Sequence, residues 1–202
     1  ASNITLTVAP ELASGLTSFG IADFAIQSDR QVAISLQFQT ESASAFVNPG
    51  AELTTDSEVD GATPADPVET AVTLPSGATG GTVTIAEVPV TTVPPTGYSF
   101  LTQQVSVSAP DATSAQDPLA IEFTIDCSRF YPASCNQATA DGVRIWRNGV
   151  EVEDCLRPAL READPNPCVA PPQVVGDDIQ VEVFTVTASE WNFSFELAND
   201  RD

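Results

Sequence analysis

Apolar and polar positions alternate along most of this chain. In Asn3–Val8, residues Ile4, Leu6 and Val8 share one face, and Pro10 ends the run. Gln31–Gln39 is as strict, with Val32, Ile34, Leu36 and Phe38 set against Ala33, Ser35 and Gln37. A period of two marks a strand with one buried face, so both segments are predicted strands. Gly15–Gln27 is apolar but irregular and reads as a short strand with a bend, and another short strand is expected near Ala45–Val47, before Pro49-Gly50 turns the chain. The pattern fades across Ala51–Pro67 and resumes at Thr70–Leu74, Thr82–Val88, Gln103–Ala109, Leu119–Ile125, Ile179–Val186 and Trp191–Leu197. Val143 and Ile145 alternate with Arg144 and Trp146, then Asn148-Gly149 interrupts before Val150–Val152. Asn-Gly between two such runs predicts a hairpin, because a type I′ turn needs positive φ at both central residues. No stretch reads as a long amphipathic helix.

Many short strands separated by Gly, Pro, Asp and Asn predict an all-β chain. Its expected form is an immunoglobulin-like two-sheet β-sandwich with additional N-terminal strands. The expected division is an N-terminal strand segment over residues 1–67, ending in an acidic loop at 51–67, and a sandwich domain over 68–202. No apolar run approaches the ~20 residues of a membrane helix.

Sulfur changes the picture most. All four cysteines lie between Asp126 and Cys168, on either side of the predicted hairpin. Cys127 with Cys135 and Cys155 with Cys168 would each close a short, proline-containing loop, whereas crossed pairings remain open on spacing alone. A zinc site would use ligand pairs two to four residues apart, which this chain lacks. Oxidised cysteines imply an extracellular or otherwise oxidising compartment. A chain that begins at Ala1 and contains no Met also fits secretion with removal of a signal peptide.

The formal charge is −21, from 28 acids against 7 arginines, with no Lys and no His. Phosphate binding needs clustered cations, so nucleic acid is not an expected partner. Without His there is no Ser-His-Asp or Cys-His machinery, and without Lys there is no Schiff base. No carboxylate pair stands out for acid–base work, and no enzyme is expected. Positive charge is absent from Gln31 to Ser128, while Arg129, Arg144, Arg147, Arg157 and Arg161 crowd the cystine region. That asymmetry fits either an acidic, solvated surface or an acidic face meeting an arginine face on another copy.

Four sets of residues carry candidate chemistry. Trp146 shares its strand face with Arg144, so with Val143 and Ile145 inward it points outward; Arg144, Trp146 and Arg147 form a candidate interface, against the plainer reading of Trp146 packed under a loop. Asp56, Glu58 and Asp60 place oxygens at alternate positions, as in the start of a calcium loop, but Pro67 stands where an EF-hand needs Glu. Calcium is thus a candidate ligand, set against a solvated acidic loop, and no other cofactor is implied. Asn3-Ile-Thr5 and Asn192-Phe-Ser194 are glycosylation sequons. Finally, Asn3, Ile4, Leu6 and Val8 can lie in their own sandwich or in a neighbour's as a donor strand, with three apolar side chains worth ~1.5–3 kcal/mol each when buried.

Residues 68–197 also carry an ordered set of motifs: Gly80-Gly-Thr-Val-Thr-Ile85, Pro95-Thr-Gly-Tyr-Ser-Phe-Leu101, Gln104-Val-Ser-Val-Ser-Ala-Pro110, Pro118-Leu-Ala-Ile-Glu-Phe-Thr-Ile-Asp126, Arg147-Asn-Gly149, Pro165-Asn-Pro-Cys168 and Trp191-Asn192. The set resembles β-sandwich modules near the C-terminal ends of secreted, multimodular bacterial surface proteins. The resemblance implies a cystine across Cys155 and Cys168, a surface location and no transferable activity; the Cys127/Cys135 loop is an addition to that pattern. Two functions are therefore expected from different classes. The first is a self-assembling structural subunit of a fibre, sheath or surface layer, with copies of itself as partners. The second is an adhesion module for glycan or another surface.

Overall fold

The computed structural model describes residues 41–56, 61–130 and 135–196. The predicted strands at Asn3–Val8 and Gln31–Gln39, the irregular run Gly15–Gln27, and the candidate residues Asn3, Ile4, Leu6, Val8, Glu58 and Asp60 lie outside the described residues. In chain order the strands are β1 (Ser42–Val47), β2 (Glu52–Thr54), β3 (Val68–Thr73), β4 (Gly81–Pro89), β5 (Tyr98–Ser108) and β6 (Leu119–Asp126). A one-turn helix, α1 (Gln137–Asp141), precedes β7 (Val143–Arg147), β8 (Val150–Glu151), β9 (Glu153–Asp154), β10 (Cys168–Val169), β11 (Gln173–Val175), β12 (Asp178–Thr185) and β13 (Glu190–Glu196).

These strands form two sheets packed face to face, as an all-β sandwich requires. One sheet runs β1-β4-β5-β13-β7-β8, and the other runs β2-β3-β6-β12-β10-β9, with β11 also on β12. Alternation decides which side chains meet between them. Val83 and Ile85 on β4, Ile121 and Phe123 on β6, and Trp191 and Phe193 on β13 all face inward and lose essentially all contact with solvent. Phe123 bridges the sheets, its ring 4.8 Å from Phe193 and 6.1 Å from Trp191. Each fully buried ring or branched chain contributes about 1.5–3 kcal/mol relative to exposure.

The hairpin forms where the sequence places it. Asn148 (φ 50°) and Gly149 (φ 79°) both adopt positive φ, and Arg147 pairs with Val150 across the turn. Upstream, Asn136 caps α1 by accepting from the Thr139 amide at 3.0 Å. Disulfides link Cys127 to Cys135 and Cys155 to Cys168. The second is buried with Ala163 and Phe184, forming a small satellite core beneath its loop.

The expected division at residue 67 does not match the architecture. β1 pairs with β4 over its whole length and β2 pairs with β3, so residues 42–54 complete both sheets of the sandwich. The short strand expected near Ala45–Val47 is β1, which starts earlier because SASAFV is too small and polar to show an apolar stripe, whereas the three residues of β2 fall inside the expected acidic loop and were not legible.

Candidate functional site

β1 and β2 lie at the same side of the sandwich, each the terminal strand of its sheet among the described residues. The chain crosses between the sheets there, and the seam so formed carries the least conventional chemistry in the structure. Thr55 follows β2 and stays paired, its amide donating to Thr70 O at 3.0 Å. The Thr55 hydroxyl accepts from the Thr70 amide at 2.9 Å and contacts two carboxyls, Oε2 of Glu69 and Oε1 of Glu87, at 2.8 Å each. A hydroxyl has one proton to give. It can serve one carboxyl, and the other contact is a hydrogen bond only when that carboxyl is itself protonated.

The surroundings favour that proton. Glu69 and Glu87 are 7% and 2% exposed. Burial pushes Glu69 up to about 7 and Glu87 up to about 8, against the lowering effect of the Thr55 hydrogen bond, and the Asp66 carboxylate adds to the rise. Glu41, Asp66 and Glu69 also bring one carboxylate oxygen each to within 4.8 Å of the others. Carboxylates this close repel unless protons or a cation lie among them. Glu87 had a signal in the sequence, since it takes the inward position after Val83 and Ile85. Glu41, Asp66 and Glu69 had none, because only folding brings them together.

On the same seam, the core-facing side chains are incompletely covered. Ala43 and Ala45 pair with Ile85 and Val83, so they point to the core side of the sheet, yet Ala43 is half-buried and Ala45 exposed. On the facing sheet, Leu53 pairs with Val72 and is also half-buried. Outside, Phe46 is 68% exposed.

The arginine and tryptophan site is assembled differently from the expectation. Trp146 does lie on the outer face, opposite Val143 and Ile145, but it is only 5% exposed. The rings of Tyr98 and Phe100 cover it edge-on at 5.1 and 5.8 Å, and its indole N–H donates to Ser194 Oγ at 2.6 Å. No exposed strip runs through Trp146. Arg144 donates to Asp141 O at 2.8 Å and pairs with Glu151 at 3.5 Å. Arg147 donates to Thr187 O at 3.1 Å and to its hydroxyl.

The remaining described arginines are engaged within the chain as well: Arg129 with Pro64 O, Arg157 with Glu162 and Asp164, and Arg161 with Glu182. The arginine-rich face is therefore spent on internal contacts, which weakens the idea that it meets an acidic face on another copy.

Asn192 is 1% exposed, on β13 between β5 and β7. A folded chain cannot present it for glycosylation, so that sequon is structural. Asp56, the one described member of the expected calcium loop, is half-buried, and its amide donates to Thr54 Oγ1 at 3.1 Å.

Comparison with known proteins adds no relative: no family model, no curated protein and no solved structure matches this chain. The resemblance of residues 68–197 to bacterial surface modules thus rests on its motifs alone.

Proposed function

We propose that this chain is a non-enzymatic, extracellular structural protein, a self-assembling subunit of a fibre, sheath or surface layer whose copies join through N-terminal strand exchange. The observation that carries the reading is β1. Edge strands expose unpaired N–H and C=O groups, and proteins guard them by keeping them short, charged or covered. At the far side, β8 and β9 are two residues each and bear Glu151, Glu153 and Asp154. β1 has six residues and no charge, and its own Phe46 is exposed. Two disulfides suit an oxidising, extracellular setting reached by a cleaved signal peptide, and among the described residues no helix is long and apolar enough to cross a membrane.

Light scattering and negative-stain microscopy on the purified protein test this reading. Concentration-dependent association is expected, and deletion of residues 1–9 is expected to leave a folded monomer. A truncated chain that forms the same assemblies would remove the donor strand from the account.

A second reading, a carbohydrate- or surface-binding adhesion module, is favoured by one observation. Tyr98 and Phe100 stand half-exposed on the outer face, their rings gathered over Trp146. Stacking on a sugar would use those two rings. Glycan titration that changes tyrosine or tryptophan emission in wild type but not in Tyr98→Ala would favour it over assembly.

A further inference from the structure

We propose that the seam between β1 and β2 is the acceptor groove for strand exchange, and that Asn3–Val8 of a second copy fills it beside β1. The inference rests on the assembly reading above and says where the exchanged strand goes. In it, Ile4, Leu6 and Val8 turn inward over Ala43, Ala45 and Leu53.

The argument starts from side-chain size. Directly paired residues share a face, so Ala43 and Ala45 face the same interior as Ile85 and Val83. Those neighbours are fully buried, as is Val47 at the end of β1, yet Ala45 is exposed: among the described residues nothing covers the middle of that inward face. Two alanines leave space where larger side chains would stand, and Leu53 on the opposite sheet borders the same space. Three bulky side chains at alternate positions of an added strand fit that deficit.

Charge narrows the choice of occupant. Each copy carries −21, so most of its surface repels another copy. Asn3–Val8 and β1 are both uncharged, and their pairing buries no ion. The opposite seam offers no such fit. Its groove of about 850 Å³ is rimmed by Asp141, Glu151, Glu153 and Asp154, and its inward residues Val143, Ile145 and Val152 are already buried.

Chain path points to a neighbour's strand. The Glu87 amide donates to Glu41 O at 2.9 Å, so the chain is still paired along β4 one residue before β1. The described chain therefore enters β1 already aligned along β4. Residues 9–40 separate Val8 from this point, and a chain of that length can span up to ~100 Å, enough to reach a second copy.

Mixing single-cysteine variants tests the proposal. Leu6→Cys is combined with Ala45→Cys, or with Val150→Cys on the opposite edge, and a short bis-maleimide links free thiols; all native cysteines are in disulfides. Covalent Leu6→Cys/Ala45→Cys pairs are expected at least tenfold above Leu6→Cys/Val150→Cys pairs. Ala45→Glu, at an exposed position, is expected to keep the melting temperature and weaken association at least tenfold. Association that persists in Ala45→Glu, or equal linking to both sites, would overturn the groove while leaving assembly standing. Absence of association at every concentration would overturn both together.

Discussion

Glu69 and Glu87 come from opposite sheets and meet at one hydroxyl, each carboxyl 2.8 Å from Oγ1 of Thr55. The arrangement ties β3 to β4 through a proton, and it makes the seam sensitive to pH. Both groups are raised above the ordinary 4.5, to about 7 and about 8. Between these limits the folded chain holds protons that the unfolded chain has released. Their contribution is complete below pH 4.5 and lost as pH rises through 7 to 8. Urea unfolding at a series of pH values should show that decline. Other groups face the same space (Glu41, Asp56 and Asp66), so the decisive comparison is Glu87→Gln, which should flatten the profile. An unchanged slope would show that the pair does not hold the proton.

The two disulfides should differ in worth. Closing loops of 8 and 13 residues restrains the unfolded chain by about 2.5 and about 3 kcal/mol respectively. Cys155–Cys168 is also packed against Phe184, whereas Cys135 is only half-buried. Replacing Cys155 and Cys168 by Ala is therefore expected to cost more in urea unfolding than replacing Cys127 and Cys135. Peptide mapping without reduction checks the pairing, since crossed peptides would contradict it.

Trp146 offers an optical check on the outer face. Its indole N–H and the Ser194 hydroxyl are both buried, so Ser194→Ala leaves a donor without an acceptor and should cost about 1–3 kcal/mol. Both tryptophans are buried, and native emission should be blue-shifted and resist acrylamide quenching. Strong quenching of the folded protein would mean that the Tyr98 and Phe100 rings do not cover Trp146.

How much of this was legible follows from what alternation can report. Wherever one face is buried over five or more residues, as in β4, β6, β12 and β13, the pattern named the strand. Asn148-Gly149 named the hairpin. Strands of two or three residues, such as β2, β9 and β10, contain no period to read, and they became apparent only as pairing partners. Trp146 was placed on the correct face, but its cover comes from β5, more than forty positions earlier, and no local pattern reports that. The acid cluster was missed for the same reason: Thr55, Glu69 and Glu87 meet across two sheets, and of these only Glu87, an acid in an apolar register, carries a local signal, which the strand reading passed over.

Gly80 lets the main chain pass close to the end of β1, and a matched pair of substitutions tests what that approach is worth. Gly80 has φ 75°, and a Cβ there would lie 2.9 Å from the carbonyl oxygen of Val47, the last residue of β1. Gly50 has nearly the same φ, 70°, with nothing within 4 Å of its Cβ position. Alanine at either site meets the left-handed backbone penalty of about 1–2 kcal/mol. Only at Gly80 must backbone also move, because the obstructing atom belongs to the main chain and cannot rotate away. Gly80→Ala should therefore destabilise by clearly more than Gly50→Ala in denaturant unfolding. Its extra cost should appear locally, as faster amide exchange in β1 while β6 and β12 keep their protection. Equal costs for the two variants would mean that β1 yields without resistance, and that the edge proposed to receive a neighbour's strand is not a fixed part of the sandwich.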